Sequence, residues 1–314
     1  MNKPSPHLVP DPSHGAHDHG KSLFVTANDG LRIHVREYGT RSSPGLSVVC
    51  LPGLARTAAD FDELAPAMAA GPPQRHVIAI DLRGRGHSEH DADHSNYNCT
   101  VELADIVSVL IALGVGPAMF VGSSRGGVLT MMLATVHPTA IAGVVLHDVG
   151  PVTEPKGVAR LRGYLGKLPH PRSYDEGAEI LRRLLSAQFP NLTHEQWLAG
   201  ARRTWHLKQG ALKPAYDIGI VRALAGIDIE LPMPSLWHEF DALGNVPMLV
   251  VRGANSDILS AATVAAMRAR REQMELIEIA EQGHAPILEG DLVRRIIGFV
   301  ERCESARQGA AKAN

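Results

Sequence analysis

The chain has 314 residues, 45% of them hydrophobic, and a formal net charge of −2. That is enough to bury a large core, and too near neutral for a basic nucleic-acid surface. No apolar run reaches the length of a membrane span, no apolar leader opens the chain, and Cys50, Cys99 and Cys303 lack metal or redox-pair spacing, which points to a reduced, cytoplasmic setting.

Residues 1–20 carry four prolines and four histidines (His7, His14, His17, His19), and too few apolar groups to fold. We read them as a mobile tail without a catalytic metal site. Ser22–Thr26 and Leu31–Tyr38 read as strands joined by Asn28-Asp29-Gly30, a hairpin signal. Leu46–Leu51 and His76–Ile80 are apolar runs expected of buried strands. They end in Pro52-Gly53-Leu54-Ala55-Arg56 and in Asp81-Leu82-Arg83-Gly84-Arg85-Gly86-His87-Ser88. Thr57–Ala70 and Thr100–Leu113 read as helices, the second with apolar residues at Leu103, Ile106, Val107, Leu110 and Leu113. A strand from Ala118 leads into a helix over Val128–Val136, and Ile141–Leu146 forms the next strand. From Val152 to about Leu243 the alternation breaks into helix-like pieces with many prolines and no convincing strand. It resumes with strand Val246–Arg252, helix Ser260–Arg271, strand Met274–Ile279 and helix Leu292–Cys303. Regular alternation predicts an α/β fold with a mostly parallel, doubly covered sheet. The domain reading is a core over 21–151 and 244–304, an inserted helical cap over 152–243, and a frayed tail over 305–314.

The junction at Gly122-Ser123-Ser124-Arg125-Gly126 organises the rest. It is a small-x-Ser-x-small turn between a strand and a helix, the pattern of a nucleophile elbow. The turn brings main chain so close that its flanks hold no side chain, and Gly122 and Gly126 meet that demand. Ser124 is the candidate nucleophile, at a helix N-terminus where free N–H groups favour negative charge. The rival reading, a plain glycine-rich turn, lacks a reason for the strand and helix on either side. A phosphate loop lacks the Gly-Lys-Ser/Thr that would follow.

A serine hydroxyl needs a base, and a histidine base needs an orienting carboxylate. Just past later strands stand Asp257 and His284, in the order Ser124, Asp257, His284. Loops at the carboxyl ends of the strands share one face, where sites on such sheets lie. His147 and Asp148, after the strand Ile141–Leu146, share that face and are pocket candidates together with Arg125. An arginine beside the nucleophile must find a carboxylate, a substrate anion or water. Asp148 on the adjacent loop is its expected partner. Asp81 and Arg83 are expected to hold loops together.

Leu51-Pro52-Gly53-Leu54, the Asp81–Ser88 segment, the elbow, Gly253–Asp257 and Gly283-His284 together resemble the α/β-hydrolase family, over nearly all of 22–303. The resemblance implies a Ser-His-Asp triad, backbone oxyanion donors at Leu54 and Arg125, and no cofactor. It favours Asp257 over its rival Asp148 as the acid, because the Gly253–Asp257 loop is the family's usual acid loop. It implies a hydrolase of small carboxylic esters or lactones. Amide, carbon–carbon bond and perhydrolase chemistry use the same residues, and a non-catalytic receptor on the same fold is a further alternative. The expected partner is a small-molecule substrate, with no nucleic acid and no membrane. Within 156–213, eleven Lys or Arg face four acids. A solvated helix face is the preferred reading over an acid-attracting lid. Trp197, Trp205 and Trp237 are expected to fill the cap's small core.

Overall fold

The computed structural model describes residues 8–10, 20–225 and 233–313. In chain order the strands are β1 (Leu8–Pro10), β2 (Lys21–Thr26), β3 (Arg32–Tyr38), β4 (Ser47–Leu51), β5 (Val77–Ile80), β6 (Ala118–Ser123), β7 (Ile141–His147), β8 (Trp205–Lys208), β9 (Ala211–Pro214), β10 (Met248–Gly253) and β11 (Glu275–Ile279). The α-helices are α1 (Leu64–Ala70), α2 (Cys99–Leu113), α3 (Arg125–Val136), α4 (Pro155–Tyr164), α5 (Tyr174–Leu185), α6 (His194–Thr204), α7 (Arg222–Ala225), α8 (Trp237–Ala242), α9 (Ala261–Arg270) and α10 (Gly290–Ala313).

Nine strands form one sheet in the order β1-β2-β3-β5-β4-β6-β7-β10-β11. The first four strands in this order pair antiparallel, and from β5 onward every pairing is parallel. Alternate residues of each strand feed opposite cores, as the two-residue period of a strand requires. Val49, Leu51 and Val250 point to the side covered by α2, α3, α8 and α9. Val48, Cys50 and Val251 point to the side covered by α1 and α10. Both faces are therefore buried, which explains why the central strands read as unbroken apolar runs.

Several expectations need adjustment. The single helix over 57–70 is a 3-10 turn, Ala58–Phe61, followed by α1. Helix α10 runs on to Ala313 through the stretch expected to fray. Of the presumed tail, 8–10 pairs antiparallel with β2, and His7, His14, His17 and His19 lie outside the described residues.

The segment between β7 and α8 was expected to hold no strand, yet β8 and β9 form an antiparallel hairpin. Its turn is Gln209-Gly210, with φ of 53° and 76°, the left-handed geometry of a two-residue hairpin turn. This segment carries its own apolar cluster, in which Ala178, Leu181, Trp197, Ala201, Trp205 and Leu212 are buried. Trp205 and Trp197 thus occupy that core as expected. Trp237 does not. It packs against the main core, beneath the Arg270 guanidinium 4.4 Å from its ring centre, so α8 belongs to the sheet layer. Among the described residues no helix is long and apolar enough to cross a membrane.

Candidate active site

Strand β6 delivers the chain into a turn that admits no side chain at its flanks. A Cβ on Gly126 would lie 2.0 Å from the Leu51 carbonyl oxygen, and one on Gly122 would lie 2.6 Å from the Gly127 backbone. The crowding forces Ser124 to φ 50° and ψ −113° at the N-terminus of α3, a conformation that non-glycine residues seldom adopt.

The Ser124 Oγ lies 2.8 Å from His284 Nε2. His284 follows β11 and its ring is nearly buried. Its Nδ1 lies 2.7 Å from Asp148 Oδ2. A carboxylate can only accept, so Nδ1 carries the proton and Nε2 is free to accept from Ser124. His284 N–H also donates to Gln188 Oε1 at 3.1 Å.

The structure corrects the expected contact: the carboxylate on His284 is Asp148, not Asp257. Asp257 instead forms a two-pronged pair with Arg160 of α4 at 2.6 and 2.9 Å. Strands β7 and β10 are parallel neighbours, so the loops after both reach the same edge and chain order cannot separate them. The Gly253–Asp257 loop instead holds Asp148 in place. Gly253 N–H donates to its Oδ1 at 2.8 Å and Ser256 Oγ–H to its Oδ2 at 2.6 Å. Asp148 is fully buried, so each of these donors offsets the loss of water.

Arg125 is not paired with Asp148 either. Its Nε donates to Glu102 Oε2 at 2.7 Å, and the same buried carboxylate lies 2.7 Å from Arg85 Nη1. Arg85 Nε in turn donates to the Leu54 carbonyl at 2.6 Å. Glu102 thereby ties together the two residues whose backbone N–H groups were expected to hold an oxyanion. Neither the Leu54 nor the Arg125 N–H has an acceptor among the described residues. Gly53 lies against Ser124, since a Cβ there would be 3.6 Å from the Ser124 Cβ.

His147 is buried, with Nδ1 3.0 Å from Ser123 Oγ. Burial lowers it to about 4, so it is neutral near pH 7. Asp81 holds loops together as expected. His34 Nδ1–H donates to its Oδ2 at 2.7 Å and Ala58 N–H to its Oδ1 at 2.7 Å. Burial raises the Asp81 carboxyl, but these donors prevail and hold it at about 2. Arg83 pairs with Asp105, Asp91 and Asp29.

A cavity of about 210 Å³ opens onto Ser124, His147 and His284. Leucines 161, 165, 168, 181, 185 and 192 with Phe189 and Trp197 form much of its wall. Arg125 does not line it. Arg56, Asp60, Gln196 and Arg203 do, and sequence reasoning singled out none of them. The signal available was the basic run itself, whose members Arg172, Arg182 and Arg183 sit in exposed pairs with Glu176 and Glu179.

A strained serine turn between strand and helix, a histidine after the last strand and a sheet of this order define a class, and the chain belongs to the α/β-hydrolase family. The sequence model of that family matches residues 48–296, and the protein is a hydrolase. A 3-hydroxybutyrate-oligomer hydrolase of Cupriavidus necator is 33% identical over 81% of this chain and 87% of the relative. A 2-(acetamidomethylene)succinate hydrolase of Mesorhizobium japonicum is 24% identical over 81% of this chain and 85% of its own. The crystal structure of an alpha/beta hydrolase from Novosphingobium aromaticivorans superposes with a TM-score of 0.83 at 37% identity, covering 91% of this chain and all of the other.

Proposed function

We propose that the protein cleaves small carboxylic esters or lactones through an acyl-enzyme on Ser124. The observation that carries this reading is the unbroken chain Ser124 Oγ–His284 Nε2 at 2.8 Å and His284 Nδ1–Asp148 Oδ2 at 2.7 Å. His284 accepts the serine proton as Oγ attacks the ester carbonyl, and the imidazolium that forms is stabilised by Asp148. The Leu54 and Arg125 N–H groups receive the oxyanion. Collapse of the tetrahedral adduct returns the proton from His284 to the leaving alkoxide, and water then cleaves the acyl-enzyme by the same route. The segment between β7 and α8 serves as a cap whose leucine-rich surface takes the carbon chain. The hydroxy-acid oligomer named for the Cupriavidus relative supports an ester linkage as the bond broken.

Labelling with a fluorophosphonate probe tests the nucleophile. Adduct is expected on Ser124, and Ser124→Ala is expected to lose both the adduct and, by about a millionfold, the turnover of an activated ester. Full activity in a folded Ser124→Ala protein would remove the reading.

A further inference from the structure

One end of the cavity is charged. Arg56, in the loop after β4, and Asp60 meet Arg203 and Thr204 at the end of α6. Arg56 uses its donors locally. Nε donates to Asp60 Oδ2 at 2.8 Å, Nη2 to Asp60 Oδ1, and Nη1 to Thr204 Oγ1 at 3.1 Å. One guanidinium thus satisfies both oxygens of Asp60. Arg203 is left over. Its Nε is 3.7 Å from Asp60 Oδ1, beyond hydrogen-bond reach, and its side chain donates no hydrogen bond among the described residues. Asp60 is the only carboxylate within ion-pair distance of Arg203 among the described residues, and both its oxygens are taken by Arg56, so Arg203 stands on the wall of a mostly aliphatic cavity with its donors unused. Burial pushes the Arg203 guanidinium below its ordinary value and the Arg56 charge adds to that, while Asp60 and the more distant Glu289 and Asp62 draw it part of the way back. A cation so placed is costly to dry unless an anion joins it.

We propose that Arg203 anchors a free carboxylate on the substrate, so that the cavity selects acidic esters over neutral ones. The aliphatic wall takes the chain between the scissile ester at Ser124 and the carboxylate at Arg203. A neutral ester of the same shape would strip water from Arg203 and give nothing back, which is how such a site discriminates. The substrate class rests on the hydrolase reading, whereas the anion site itself does not.

Two measurements separate them. Calorimetric titration with hexanoate and its uncharged isostere hexanamide probes the anion site without turnover. Hexanoate is expected to bind at least about tenfold more tightly than hexanamide, and Arg203→Gln to reduce that ratio by about tenfold. Arg203→Lys, which keeps the charge without the planar fork, is expected to retain part of it. Equal binding of the two, or a ratio untouched by Arg203→Gln, overturns the proposal. Turnover of 4-acetoxybenzoate against its methyl ester is then compared in wild type and Arg203→Gln. A wild-type preference for the acid that shrinks in the variant supports the substrate class, and a preference for the methyl ester overturns it. Discrimination in binding with neither ester cleaved leaves the anion site standing and removes the proposed ester-cleaving reading.

Discussion

Ser124 and Asp148 both hold positive φ, 50° and 53°, and they stand at opposite ends of the same hydrogen-bonded chain. Such backbone is retained only where the surroundings over-determine it. For Asp148 they do so through the Gly253 N–H, the Ser256 hydroxyl and its own N–H, which donates to Val251 O at 2.7 Å. Between the two, His147 is buried and depressed to about 4 from an ordinary 6.5. The fold favours its neutral form, so its contribution to stability is complete above about pH 6.5 and is lost as pH falls towards 4. His87, which burial also lowers to about 4, titrates in the same window. Unfolding followed by denaturant between pH 7 and 4 should therefore show stability falling with acid, and His147→Asn should remove up to about one proton from that slope. An unchanged slope would mean His147 is not held neutral. Ser124 and His284 were legible because each follows a strand in a short glycine-flanked motif. Which carboxylate meets His284 was not, because Asp148 and Asp257 follow neighbouring parallel strands. Asp257 is taken by Arg160, about a hundred residues away in a helix the sequence left unplaced.

At the scale of elements, a buried ion cluster joins α2, the loop after β5 and the start of α3. Glu102 is fully buried between Arg85 and Arg125. Removing its charge strands two guanidinium groups in the interior, which costs about 3–5 kcal/mol. Removing Arg125 leaves Glu102 still paired with Arg85. Chemical denaturation should accordingly rank Glu102→Gln well below Arg125→Met in stability. Because Arg85 also holds the Leu54 carbonyl, Glu102→Gln should lower kcat in whatever fraction remains folded. The opposite ranking would show that Arg125, not Glu102, is the keystone. Eight of the nine strands of the main sheet were legible, the central ones as unbroken apolar runs, and α2 from its 3.6-residue apolar period, whereas β1 falls in the stretch read as a tail. The hairpin β8–β9 was not legible either. It is one short pair outside the main sheet, and Trp205 is its one fully buried residue, seated among helices α5 and α6. Helix α8 read as part of the insertion because of its place in the chain, yet Phe240 packs it onto α3.

At the scale of the whole molecule, the parallel half of the sheet gathers groups that are remote in sequence. Ser124 and His284 are 160 residues apart and His284 and Asp148 are 136 apart, yet all three stand on loops at one edge. The segment between β7 and α8 closes over that edge. It is fastened to the core by Arg160–Asp257, by Arg56–Thr204 and by the Gly86 and Asp217 backbone N–H bonds to Ala215 and Gly84 at 2.7 Å. Asp257 belongs to this fastening, and Asp148 to the hydrogen-bonded chain that ends on Ser124. The most direct test is therefore the kcat of Asp148→Asn and Asp257→Asn on one activated ester, with folding of each checked by circular dichroism. Asp148→Asn is expected to lose on the order of 10⁴-fold, through the wrong histidine tautomer, and Asp257→Asn no more than about tenfold. A collapse of Asp257→Asn beside a nearly intact Asp148→Asn would contradict that ranking.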